Sequence, residues 1–205
     1  MKTILILMAD GCEEIEALAP VNILRRAKLN VQTVACTGSS LMIEGAHNIF
    51  FTCDILLSQI VEKVEKGDLP DAVVCPGGLV GSENLAKSSG VKKILQSMDA
   101  AGRIISANCA APVMVFGKNG LLKGRKYTCY PGMQKQFKTY APQAAKGKSD
   151  SGKYINKPIV VDSNMLTARG PGASFLFGLK LVELLTNHQK AKEIKDGMVI
   201  DGKLC

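Results

Sequence analysis

Gly102-Arg-Ile-Ile-Ser-Ala-Asn-Cys-Ala-Ala-Pro-Val-Met-Val-Phe116 packs a strand, a turn and a helix start into fifteen residues. Arg103–Ala107 reads as a buried strand. From Ala110 the pattern turns helical, with Pro112 in the first turn, where a missing N–H costs little. Cys109 therefore falls on a sharp strand-to-helix turn. A thiol there meets unpaired backbone N–H groups and the positive end of a helix dipole, and both favour the thiolate. The stretch thus predicts a reactive cysteine on a β–α unit.

Reading outward, short β-rich runs alternate with helical patterns, as in a parallel α/β sheet. The predicted strands are Ile4–Met8, Val31–Ala35, Ala72–Cys75, Arg103–Ala107, Lys126–Cys129, Ile159–Val161 and Met165–Thr167, with His47–Thr52 as an added edge strand. The predicted helices are Glu13–Lys28, Ile55–Lys66, Val91–Ala101, Ala110–Gly117, Ser174–Thr186 and His188–Lys195. Val91, Ile94, Leu95 and Met98 follow helical spacing, and Gly102 stops that helix. Ser174–Thr186 has only a thin polar stripe (Lys180, Glu183) and should be deeply packed. No repeat or long linker divides the chain. The expectation is one doubly wound domain over 1–205, its sheet mostly parallel, with helices on both faces and sites at the carboxyl ends of the strands.

Composition fits. The chain has 205 residues, 46% hydrophobic and 21% charged, as in an ordinary globule. The apolar run Ile4–Ala9 is too short for a membrane span or a secretory signal, so the reading is a cytoplasmic protein without membrane attachment. Seven cysteines without a C-x-x-C suggest reduced thiols rather than zinc or a disulfide framework. The net charge is +8, densest between Lys135 and Lys157. That stretch has few aromatics and no nucleic-acid signature, which favours a solvated loop over a nucleic-acid face.

A nucleophile needs a group that sets its protonation and donors that hold developing negative charge. On a helix from Glu13, Glu16 shares a face with Ala19, Pro20, Ile23 and Ala27. Buried there, its carboxyl would stay protonated and donate to a thiolate. Pro20 leaves the helical phase open between that and an exposed glutamate. Glu13 and Glu14 point elsewhere and are expected in solvent. Pro76-Gly77-Gly78 follows a strand, so the Gly78 N–H could join that of Ala110 as an oxyanion hole, or the tripeptide is a plain turn. Gly77-Gly-Leu-Val-Gly81 is no dinucleotide fingerprint, having the wrong spacing and no prompt helix. Arg169-Gly-Pro-Gly-Ala-Ser174 reads as a tight loop with Ser174 near a helix cap rather than as an anion site. The two histidines, His47 and His188, read as surface residues, which speaks against a Cys–His triad.

Four motifs in this order resemble the ThiJ/PfpI superfamily, in its deglycase branch: Gly11-Cys-Glu-Glu-Ile-Glu16, Pro76-Gly-Gly78, Asn108-Cys-Ala-Ala-Pro112 and Ala168-Arg-Gly-Pro-Gly-Ala-Ser174. The resemblance spans nearly the whole chain. It implies a flavodoxin-like sheet, a homodimer, a catalytic pair Cys109 and Glu16, and oxyanion donors at the backbone of Gly78 and Ala110. Two positions depart from the pattern. Tyr130 stands where many relatives carry a histidine before proline, making it an auxiliary candidate. Gly45 and His47 replace a cysteine and an arginine near the partner subunit.

The resemblance implies a glutathione-independent glyoxalase or protein deglycase without cofactor or metal. Its substrates would be α-oxoaldehydes such as methylglyoxal, or their early adducts on proteins. The alternative is a redox sensor with a chaperone-like role acting through oxidation of Cys109. A peptidase or amidase ranks below both.

Overall fold

A computed structural model describes residues 1–142 and 151–201. Among the described residues eleven strands form, in chain order: β1 Thr3–Met8, β2 Asn30–Ala35, β3 Met42–Glu44, β4 Phe50–Thr52, β5 Ile55–Leu56, β6 Ala72–Cys75, β7 Ile104–Asn108, β8 Lys126–Tyr127, β9 Lys153–Tyr154, β10 Ile159–Asp162 and β11 Met165–Ala168. Seven make one sheet in the order β10-β11-β7-β6-β1-β2-β5. All neighbours in it are parallel except β10 and β11.

The sheet is buried on both faces. Leu5 and Leu7 of β1 enter one core, and Ile4, Ile6 and Met8 enter the other. This is the period of two that a central strand requires, with both sides apolar. Helices α1 (Glu14–Arg26), α6 (Ser174–Leu185) and α7 (His188–Gly197) contribute to the second core. The first is closed by α2 (Leu57–Glu65), α3 (Leu79–Lys87), α4 (Ser89–Ala100) and α5 (Phe137–Tyr140). Val91, Ile94, Leu95 and Met98 are all fully buried, as their spacing required.

The chain winds outward in opposite directions from the adjacent strands β1 and β6, through β2 and β5 on one side and β7 and β11 on the other. That reversal opens a crevice at the strand carboxyl ends. The loops after β1, β6 and β7 meet there.

Several expectations are corrected. Phe50–Thr52 pairs with β3 in a separate antiparallel ribbon, and the sheet edge is the two-residue β5. Lys126–Tyr127 pairs with β9 outside the main sheet, and the strand ends before Thr128. Ile55 and Leu56 are strand, so that helix starts at Leu57. A helix does follow Gly78 promptly, as α3. Its first apolar residues, Leu79 and Val80, are exposed and give no amphipathic signal. The segment after Cys109 winds as a π-helix, Pro112–Gly117, rather than an α-helix. Cys205 and residues 143–150 of the basic stretch lie outside the described residues.

Candidate active site

Cys109 sits at the predicted elbow with φ of +60°, a left-handed conformation rare for a residue bearing Cβ. Two hydrogen bonds hold it there. Its N–H donates to the Ala168 carbonyl at 3.0 Å, and its own carbonyl accepts from the Tyr130 N–H at 2.8 Å. Asn108 braces the turn from below by donating Nδ2 to Ser174 Oγ at 3.2 Å. Ser174 therefore serves as a partner for Asn108 rather than as a helix cap, and Ala173 occupies the cap position.

Glu16 is fully buried on α1. Helical phase did carry it inward, because Pro20, in the same buried stripe, leaves the register of α1 intact. Its Oε2 accepts the N–H of Gly77 at 2.7 Å. Its Oε1 is buried without a protein hydrogen bond. The Cys109 thiol stands beside this carboxyl, near enough to couple to it without completing a bond to Oε1. Burial pushes the Glu16 carboxyl up to about 8, against the opposing pull of the Gly77 amide.

Gly77 is the spacer of this pair. A Cβ there would stand 2.5 Å from Cys109 Cβ and closer still to Glu16 Oε2. Gly78, at φ +84°, serves as the cap residue of α3. The backbone N–H groups of Gly78 and Ala110 both act on the Cys109 sulfur and favour its anion. The two donors named from sequence are thus brought to the same atom.

The expected low thiol pKa is nonetheless overturned. Burial, followed by the neighbouring Glu16 charge, pushes the Cys109 thiol up to about 12, and the two amides offset only part of that. Two acids in one desolvated site cannot both ionise freely, so they titrate as a unit. Loss of one proton leaves a single charge shared between carboxyl and sulfur.

Glu13 and Glu14 are also buried, contrary to expectation. Glu13 caps α1 by accepting the Glu16 N–H at 2.7 Å. Glu14 accepts from the His47 backbone at 2.6 Å and lies 2.7 Å from His47 Nδ1. Neither burial is visible in helical phase, because it depends on the β3–β4 ribbon folding over α1. The Glu13, Glu14 and His47 side chains bring potential metal ligands within 4.8 Å of one another. Glu13 Oε2, however, is engaged by the Glu16 N–H, and both Glu14 oxygens are engaged by His47. His47 and His188 both expose most of their side chains, and neither lines the cavity over Cys109 among the described residues.

That cavity holds about 470 Å³. Cys109, Ala110 and Gly78 form its floor, and Glu13 reaches it from α1. Tyr130, Met133 and Tyr140 wall it. Tyr130 was anticipated. Met133 and Tyr140 were not, since they lie in short helical turns after Pro131 without a periodic signal. Six described cysteines are free, and Cys109 is one of the two that are not fully buried. No helix among the described residues is long and apolar enough to cross a membrane.

Residues 2–184 match the model of the DJ-1/PfpI family. Protein dj-1beta of Drosophila melanogaster is 34% identical over 200 residues, covering 97% of each chain. Its crystal structure superposes with a TM-score of 0.85 at 32% identity, covering 98% of this chain and 99% of that one. A DJ-1 superfamily protein of Salmonella typhimurium gives a TM-score of 0.86 at 34% identity, over 98% of this chain and 100% of that one. The glutathione-independent glyoxalase DJ-1 of Schizosaccharomyces pombe is 24% identical over 192 residues, 93% of this chain and 94% of that protein. The chain spans 41% and 44% of the length of the Arabidopsis thaliana DJ-1 homologs B and A, at 34% and 36% identity.

Proposed function

The chain belongs to the DJ-1/PfpI family, and from that membership we propose that it is a cysteine-dependent, glutathione-independent glyoxalase acting on α-oxoaldehydes or their early protein adducts. The observation that carries this reading is the buried Glu16 carboxyl held against Cys109 at the foot of an open cavity.

In the proposed cycle the pair first loses one proton. The Cys109 sulfur attacks the aldehyde carbon as its remaining proton passes to Glu16, giving a hemithioacetal. The Gly78 and Ala110 N–H groups receive the oxyanion. Glu16 returns its proton to that oxyanion and, now a carboxylate, takes the proton of the former aldehyde carbon and delivers it to the neighbouring carbonyl carbon. The hydroxyl proton passes to the neighbouring oxygen, leaving an α-hydroxy thioester and an ionised Glu16. Water cleaves that thioester and restores the thiol. Aldehyde plus water thus gives the α-hydroxy acid, with no external oxidant, metal or cofactor in the balance. Purified protein incubated with methylglyoxal should produce lactate, and a Cys109→Ala variant with undiminished activity would end this reading.

A second reading, peroxide sensing at Cys109, draws support from the same two amides, which would also bind a sulfinate. Mild peroxide should then add two oxygens selectively at Cys109, read by mass spectrometry, and indiscriminate oxidation of the other thiols argues against it. The partner proposed for either role is a second copy of the chain in the cytoplasm. Ile15 and Leu18 of α1 and Ile49 and Phe50 of the ribbon are exposed. The Glu14–His47 contact holds the ribbon beside α1. Sedimentation should show a dimer that Phe50→Glu dissociates.

A further inference from the structure

We propose that the cavity over Cys109 selects uncharged α-oxoaldehydes bearing an apolar or aromatic tail and excludes those bearing a carboxylate or phosphate. The inference rests on the glyoxalase reading for its reaction, and on the cavity wall for its selectivity.

Two observations carry it. The first is size and surface. A volume of about 470 Å³ lies in the range that holds drug-sized ligands. Since liquid water occupies roughly 30 Å³ per molecule, a compound as small as methylglyoxal leaves most of that space unfilled. The remaining space is lined by Leu79, Pro131, Met133, Pro171 and the two tyrosines Tyr130 and Tyr140, with Gln136 as its one amide side chain among the described residues. An alkyl or aryl tail displaces water from such walls, whereas an anionic tail exchanges its hydration for neutral donors alone, the Gln136 amide and the tyrosine hydroxyls.

The second observation is charge. Among the described residues the only ionisable side chains lining the cavity, apart from Cys109 and the two tyrosines, is the carboxylate of Glu13, with no lysine, arginine or histidine opposite it. One of its oxygens accepts the Glu16 N–H, which fixes the group in place. An anionic substrate would meet this carboxylate and then the negative charge of the reacting pair. Recognition of a carboxylate or phosphate calls for the reverse arrangement, an arginine fork or a lysine.

Alkylation of Cys109 reads this selectivity apart from turnover, because sulfur displaces iodide to form a C–S bond in a single step. Iodoacetamide and iodoacetate are near-isosteric and differ in charge. Their rate ratio at Cys109, measured by mass spectrometry, should exceed the ratio on 2-mercaptoethanol at least tenfold. N-benzyl iodoacetamide should label faster than iodoacetamide. Glu13→Gln keeps the helix-cap acceptor, removes the charge and should narrow the amide-to-acid ratio. In parallel, kcat/KM should rank phenylglyoxal above methylglyoxal and methylglyoxal above 4,5-dioxopentanoate, an α-oxoaldehyde whose tail ends in a carboxylate. A charge ratio equal to that of 2-mercaptoethanol, or 4,5-dioxopentanoate turned over as well as methylglyoxal, overturns the selectivity. Absence of turnover for every aldehyde with the labelling ratios intact overturns the glyoxalase reading and leaves the selectivity of the cavity standing.

Discussion

Glu16 Oε2 lies 2.7 Å from the Gly77 nitrogen, so the buried carboxyl is tethered to the loop that separates it from Cys109. The tether fixes where the proton of the site is kept. Burial favours the protonated acid, and its folded-state pKa rises from 4.5 to about 8.

That displacement ties stability to pH. A group whose pKa is raised on folding stabilises the protein fully below its unfolded value, and the contribution is lost as pH climbs through the folded value. Between pH 4.5 and about 8 the native state holds a proton that the unfolded chain has released, so stability falls as pH rises. The displacement is worth up to roughly 5 kcal/mol at its upper bound. Urea unfolding at pH 5 and pH 8 should show wild type losing more stability than Glu16→Gln over that interval. Parallel losses in the two proteins would show that Glu16 is not the group responsible.

Gly77→Ala should damage the site more than the fold. The added methyl group meets Glu16 Oε2 and the Cys109 Cβ at once, with the Asn108 backbone carbonyl 3.0 Å away on a third side. Overpacking of this kind costs about 1–3 kcal/mol. A displacement of roughly 1 Å at a reacting group costs on the order of 10²-fold in rate. The variant should therefore remain folded by circular dichroism while methylglyoxal turnover falls about a hundredfold.

Ser174→Ala probes the brace beneath the elbow. Asn108 Oδ1 already lacks a protein partner, and Nδ2 depends on Ser174 Oγ. Removing that oxygen strands a buried amide, at a cost of roughly 1–3 kcal/mol. The melting temperature should fall accordingly, and a substitution without effect would mean that the Asn108 amide finds another partner.

The parts of the molecule legible in the sequence are those set by local pattern. The unbroken apolar run of β1, the spacing of Val91, Ile94, Leu95 and Met98, and the strand running into Pro112 each encode their own geometry, and Cys109 falls on the elbow for that reason. Glu16 was half legible, since phase faced it inward while Pro20 left the register open. Burial of Glu13 and Glu14 was illegible because it depends on a ribbon some thirty residues away in the chain. The direction of the thiol pKa was illegible for a related reason. The helix and its amides are local to Cys109, but the competing carboxyl arrives from α1 and the desolvation comes from the whole fold.

Tyr130→Phe separates two uses of one residue. What touches Cys109 is the Tyr130 backbone N–H, bonded to the Cys109 carbonyl at 2.8 Å. Phenylalanine retains that bond and most of the ring surface at the cavity. Turnover of methylglyoxal should stay within a few-fold of wild type if Tyr130 shapes the wall. A loss in the 10²–10⁴ range typical of a missing general acid or base would instead make the hydroxyl itself a proton-transfer group of the site.

The pH dependence of turnover tests how the pair is charged. Below about 8 the Glu16 carboxyl is protonated, and the Cys109 thiol, raised further still, keeps its own proton. In that state the site has no base to take the thiol proton and no thiolate to attack. Once one proton leaves, the remaining one moves between carboxyl and sulfur, and the sulfur can react while Glu16 holds the proton that it returns to the oxyanion before acting as the base of the isomerisation. Accordingly kcat/KM for methylglyoxal should rise with pH through a midpoint near 8. In Glu16→Gln that midpoint should disappear, because no carboxyl remains to share the charge, and activity should fall with it. Full activity at pH 6, unchanged up to pH 9, would mean that the sulfur is already anionic in neutral solution and that the amides of Gly78 and Ala110 outweigh both burial and the neighbouring acid.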